Sequence, residues 1–158
     1  MKKNKKETDN TIARNRSARH EYEINETFQA GLKLEGWEVK ALRDNKASIK
    51  EGYVYIRDGE AFVSGMQILP CISASTHVDP NPTRIRKLLL NKKEINRLVG
   101  LVERDGFTLV PMSLYWANQY AKLKFGLGKG KKLHDKRNAK KDADWKRDQS
   151  RLMKQSQR

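Results

Sequence analysis

The stretch Tyr53-Val54-Tyr55-Ile56-Arg57-Asp58-Gly59-Glu60-Ala61-Phe62-Val63-Ser64 decides the fold class. Two runs rich in β-branched and aromatic residues flank Asp58-Gly59. A two-residue loop of that kind fits a type I′ turn, which needs positive φ at both central positions. The segment therefore predicts an antiparallel hairpin.

Working outward, Met66 to Leu69 reads as a third strand ending at Pro70, and residues 73–83 read as a loop in which Pro80 and Pro82 fix φ. Leu88-Leu89-Leu90 fits a buried strand, with one of the three free to face a partner. A helix follows: Asn91 is a good N-cap, Glu94 completes a capping box, and Ile95, Leu98, Val99 and Val102 share one face. Gly106 suits the left-handed C′ position. Two more strands are expected at 107–116 and 120–127, joined at Ala117-Asn118-Gln119. On the N-terminal side, Trp37, Ala41 and Leu42 suggest a short helix over 36–44, preceded by a strand from Tyr22 to about Leu34. Short antiparallel strands with one or two helices predict a mainly β fold with flanking helices. The form expected is a partly closed, OB-like antiparallel barrel.

Charge divides the 158 residues differently. The net charge is +15, but residues 1–20 hold +5, residues 126–158 hold +8, and the segment between holds only +2. We therefore read residues 1–12 as a featureless, disordered basic N-terminus, 13–130 as the folded barrel and 131–158 as a basic tail. The tail has few large apolar groups, Leu133, Trp145, Leu152 and Met153. That is too little to offset ordering entropy, so it is expected to be disordered when free and helical once a partner neutralises it. Basic ends on a nearly neutral centre point to a polyanion, with RNA or DNA the default.

Other classes are excluded. No run approaches 18 apolar residues, so no membrane association is expected. The charged start is followed by no apolar segment, which argues against secretion. A lone Cys71 forms no internal disulfide, and His20, His77 and His134 show neither metal-ligand spacing nor catalytic pairing. No catalytic residues, metal or cofactor are expected, and a cytoplasmic setting fits. Gly126-Leu127-Gly128-Lys129-Gly130-Lys131-Lys132 lacks the spacing and hydroxyl of a Walker loop and reads as a flexible run, suited to phosphodiester contacts or to a simple hinge. Arg14, Arg16 and Arg19 form one basic cluster, and Arg84, Arg86, Lys87, Lys92, Lys93 and Arg97 form another around the helix start. Tyr22, Trp37, Tyr53 and Trp116 could stack on bases, although such positions more often face a core.

Four segments carry a resemblance. They are Asn15-Arg16-x-Ala18-Arg19-His20, Gly36-Trp37-Glu38-Val39-Lys40-x-Leu42-Arg43, Pro82-Thr83-Arg84-x-Arg86-Lys87-Leu88-Leu89-Leu90 and Gly130-Lys131-Lys132-x-His134-Asp135-Lys136-Arg137. In order and spacing they closely resemble the SsrA-binding protein (SmpB) family, from about Thr11 to the C-terminus. The resemblance implies an OB-like barrel that binds transfer-messenger RNA and delivers it to stalled ribosomes for trans-translation. It places Leu89, Asn91 and Lys92, with contributions from Arg16, Arg19 and His20, on the face for the tRNA-like domain. It assigns Gly130, Lys131 and Lys132 to RNA contact. His134, Asp135, Lys136, Arg137, Trp145, Leu152 and Met153 are implied to enter the decoding centre and message channel of the ribosome. A monomer is expected when free. The alternative is a general ribosome-associated RNA-binding protein acting through charge. The chain departs from the family's pattern twice. Gln29 stands where an acid linked to RNA binding is usual, keeping an acceptor but losing charge. Asn81 replaces a more usual Asp before Pro82, an effect expected to stay within loop geometry.

Overall fold

The computed structural model describes residues 10–71, 80–131 and 133–156. In chain order the elements are β1 (Thr11–Arg14), α1 (Ala18–Glu21), β2 (Tyr22–Leu32), α2 (Gly36–Arg43), β3 (Ala47–Ser48), β4 (Tyr53–Arg57) and β5 (Glu60–Ser64). After them come β6 (Gln67–Ile68), β7 (Arg86–Leu89), α3 (Lys92–Asp105), β8 (Thr108–Ala117), β9 (Tyr120–Gly130) and α4 (Leu133–Ser156). Among the described residues, seven strands form one sheet in the order β1-β8-β4-β5-β7-β2-β9. A further β8–β9 pairing closes six of them into a ring, with all neighbours antiparallel. The fold is mainly β with flanking helices, of the OB-like class.

Local chemistry explains the turns. Asp58 and Gly59 both have positive φ, 51° and 74°, and the β4–β5 register runs from Tyr53↔Ser64 to Arg57↔Glu60. This is the hairpin that the Asp-Gly pair calls for. Asn118, at φ 56°, turns β8 into β9. The α3 capping box is present on both sides: Glu94 N–H donates to Asn91 Oδ1 at 2.9 Å, and Asn91 N–H donates to Glu94 Oε2 at 3.4 Å. Gly106 ends the helix in the left-handed region.

The ring's interior is filled by Val63, Leu88, Leu114, Leu123 and Phe125, all fully buried or nearly so. Leu42 of α2 and Leu98 of α3 are buried in the same core.

Several elements differ from expectation. The third strand shrinks to Gln67–Ile68, which pairs with Ala47–Ser48 rather than with the hairpin. Residues 1–9 of the basic N-terminus lie outside the described residues, but Thr11 and Ile12 are strand. Their order comes from a partner far along the chain: β1 pairs with β8, and Trp116 N–H donates to the Asn10 carbonyl at 2.8 Å. Of the expected 73–83 loop, residues 72–79 lie outside the described residues. Asn81 Oδ1 accepts from Thr83 N–H at 3.1 Å, an Asx turn that keeps this substitution within loop geometry.

The glycine-rich run requires a correction. Its first part is not flexible: Gly126, Leu127 and Gly128 are buried in β9, which pairs with β2 from Tyr22↔Gly130 to Gly31↔Lys122. The glycines serve close packing. A Cβ on Gly126 would lie 2.7 Å from Ile24 Cγ2, and one on Gly128 would lie 2.8 Å from the Glu23 carbonyl oxygen.

Candidate nucleic-acid interface

The corner between β7 and α3 carries the first group of candidate residues. Leu88 is buried while Leu89 is 54% exposed, because strand alternation turns consecutive side chains to opposite faces. Leu89 pairs with Gly31 of β2, and its Cβ is 3.5 Å from where a Gly31 Cβ would stand. Asn91 and Lys92 follow, both exposed at the start of α3. The Asn91 side-chain oxygen is committed to the cap, which leaves its amide N–H₂ as the group able to donate outward.

The expected six-residue basic cluster around this corner is largely neutralised. Arg86 is fully buried and ion-paired to Glu38, which is buried as well, and Arg84 also pairs with Glu38. Lys87 bonds Glu60 at 2.8 Å, and Arg97 makes two 2.8 Å bonds to the Glu26 carboxylate. Lys92 and Lys93 remain, with no ion pair among the described residues. Sequence proximity grouped these six cations, whereas the fold gives four of them acids from α2, β5 and β2.

The Glu38–Arg86 pair is a construction element of the corner. The Arg86 guanidinium donates to the carbonyls of Met66 at 2.9 Å, Arg84 at 3.0 Å and Pro82 at 3.1 Å. Its buried charge is thereby paired and its donors satisfied, as burial demands. Burial lowers the Arg86 pKa against the opposing effect of Glu38. The network ties α2, Met66, Pro82 and Arg84 to the strand that ends in Leu89. Trp37, once a stacking candidate, is buried beside it and donates to Glu35 at 2.6 Å. Trp116 packs against the core, Tyr22 is half-buried and Tyr53 remains exposed.

A second group surrounds α1. Arg14, Arg16, Arg19 and Lys124 line a shallow cavity of about 290 Å³ with Asn15 and Ser113. Arg16, Arg19 and His20 are exposed. Cross-strand pairing links this cluster to the corner. Gly31 opposes Lys122 and Gln29 opposes Lys124 across β2–β9; Lys124 opposes Ser113, and Ser113 opposes Arg14. At roughly 4.8 Å per strand, Gln29 on β2 and Arg14 on β1 are separated by three such steps, across β9 and β8 of the ring and out to β1 at its edge. The result is a basic belt on the outer face.

Lys122 and Lys124 escaped the sequence reading. They form no charge run, yet alternate with buried Ala121, Leu123 and Phe125, a period-two signal that places both on the outer face.

The tail leaves from the α1 end. Lys131 N–H donates to the Glu21 carbonyl at 2.9 Å, and Lys129 Nζ lies 4.6 Å from the centre of the Phe107 ring. Gly130 closes β9, and Lys132 lies outside the described residues. His134, Asp135, Lys136 and Arg137 fall in the first turns of α4. On the same helix Trp145, Leu152 and Met153 are 65–68% exposed. Among the described residues no group of three or more His, Cys, Asp or Glu could hold a metal, and no helix is long and apolar enough to cross a membrane.

A closed ring of antiparallel strands with a basic outer belt and a cationic helix at one end defines an OB-like polyanion-binding protein. Comparison with known proteins agrees. The family model described as SmpB protein matches residues 12–155. The SsrA-binding protein of Pseudoalteromonas translucida (strain TAC 125) is 55% identical over 156 residues, covering 98% of each chain. A solved structure described as "tmRNA-SmpB: a journey to the center of the bacterial ribosome" matches with TM-score 0.62 and 45% identity, over 76% of this chain and 84% of that one. The chain belongs to the SmpB family, a family of RNA-binding proteins.

Proposed function

We propose that the chain is a cytoplasmic, non-enzymatic RNA-binding adaptor, monomeric when free. It binds the tRNA-like domain of transfer-messenger RNA and delivers it to stalled ribosomes for trans-translation. The observation that carries this reading is the belt running from Leu89 through Gly31, Gln29 and Lys124 to Arg14, with Lys92 uncompensated at its edge. Leu89 offers an apolar contact, Asn91 a directed donor, and Arg16, Arg19, His20 and the lysines long-range attraction. The amides at the start of α3 orient phosphates. Gly130, Lys131 and Lys132 contact RNA where the tail departs. The tail, through His134, Asp135, Lys136, Arg137, Trp145, Leu152 and Met153, enters the decoding centre and the empty message channel. Its exposed Trp145 and Leu152 support a helix that frays in the free protein and orders on the ribosome.

Titration of the tRNA-like transcript against an unrelated duplex of equal length, at physiological salt, tests the reading. Tighter binding of the tRNA-like transcript is expected, with Lys92→Ala lowering the salt slope by about one. Equal affinity for both RNAs would establish the rival, a ribosome-associated protein that coats RNA through charge alone.

A further inference from the structure

The outer face of β4 and β5 carries three aromatic rings that the core does not use. Tyr53 and Tyr55 stand on the side of β4 opposite buried Val54. Phe62, the cross-strand partner of Tyr55, alternates with buried Ala61 and Val63. Ring centres lie 5.8 Å apart for Tyr53 and Tyr55, and 5.7 Å apart for Tyr55 and Phe62. Tyr53 is 54% exposed, and the other two rings are half-buried. The row continues across the sheet, since Phe62 opposes Lys87 on β7. Two residues along the same face of β7 stands Leu89, at the edge of the basic belt. Leu89 therefore sits between two unlike surfaces, with cations on the β2–β9–β8–β1 side and aromatic rings on the β5–β4 side.

We propose that this row is a stacking platform for unpaired nucleobases, continuing the RNA interface from Leu89 across β5 and β4. The proposal rests on the RNA-binding reading above and extends it to residues that reading does not use. A nucleotide presents an anionic backbone and a flat aromatic base, and this outer face offers a complement to each. Aromatic side chains on a strand accept any base, because every base has a π-face. The rings cover no core, and burying such apolar area on binding is favourable.

The test is titration of a transcript of the tRNA-like domain at several salt concentrations with wild type, Tyr55→Ala, Tyr53→Ala and Tyr55→Phe. Thermal unfolding of each variant verifies folding, and Tyr53→Ala, at the more exposed position, serves if Tyr55→Ala unfolds. Loss of a stacked ring is expected to weaken binding about tenfold. Tyr55→Phe should bind as wild type. The salt slope should not change, since stacking releases no counterions. Wild-type affinity in both alanine variants overturns the platform while leaving the RNA-binding reading intact. A salt slope reduced by about one also overturns it, by assigning these positions to phosphate contacts. Unchanged RNA affinity with lost ribosome association would make the row a protein-docking surface instead. If the wild type shows no preference for the tRNA-like transcript, the underlying RNA-binding reading falls first.

Discussion

Burial alone would raise the Glu38 pKa, yet hydrogen bonds from Arg84, the Glu35 backbone and Arg86 hold it below the ordinary value of 4.5. A carboxylate with a depressed folded pKa contributes stability that is fully present above the unfolded value and is lost as pH falls through the folded one. The wild-type unfolding midpoint should therefore drop more steeply than that of Glu38→Gln as pH falls below the ordinary value of 4.5. At neutral pH, Glu38→Gln should cost about 3–5 kcal/mol in urea unfolding, because it leaves Arg86 buried with its charge unpaired. Asn91 separates two roles at one position. Asn91→Asp keeps the cap acceptor, so the unfolding midpoint should hold, while the added negative charge should weaken binding of the tRNA-like transcript. Equal losses in both measurements would show that Asn91 acts only through the helix. Asn91 and Glu94 were legible as a cap because that chemistry is local. Glu38 was not legible as the partner of Arg86, since 48 residues separate them and only the tertiary fold brings their side chains together.

At the scale of elements, β9 shows how a composition signal misleads. Its glycines resemble a hinge in sequence, but in the fold they let β2 approach too closely for a side chain. Gly128→Ala should destabilise the ring by about 1–3 kcal/mol by overpacking against Glu23 and Ile24. The check is urea unfolding; a stabilised variant would restore the hinge reading. Helix α3 and the β4–β5 hairpin were legible because capping residues, a 3.6 period and a turn dipeptide specify them within a few residues. Strand β1 was not, because its hydrogen bonds come from β8, about 100 residues away.

For the whole molecule, ring and tail should separate in function. Truncation after Gly130 should leave affinity for the tRNA-like transcript largely intact and abolish peptide tagging on stalled ribosomes; equal loss of both would refute the division. Amide exchange in the free protein should show weak protection across 138–153, because α4 has too few apolar groups to secure itself against the ring. By itself, the sequence determined the fold class, the position of the helix start, the family and the placement of excess charge at the two ends. These depend on composition, short-range periodicity and turn chemistry, all of which act within a few residues. Only the tertiary structure decided which cations remain available. It withdrew Arg84, Arg86, Lys87 and Arg97 into ion pairs and placed Lys122 and Lys124 on the outer face between Leu89 and Arg14. The reason is physical: a charge's availability depends on which groups the strand register brings within a few ångströms, and register joins residues that are far apart in the chain.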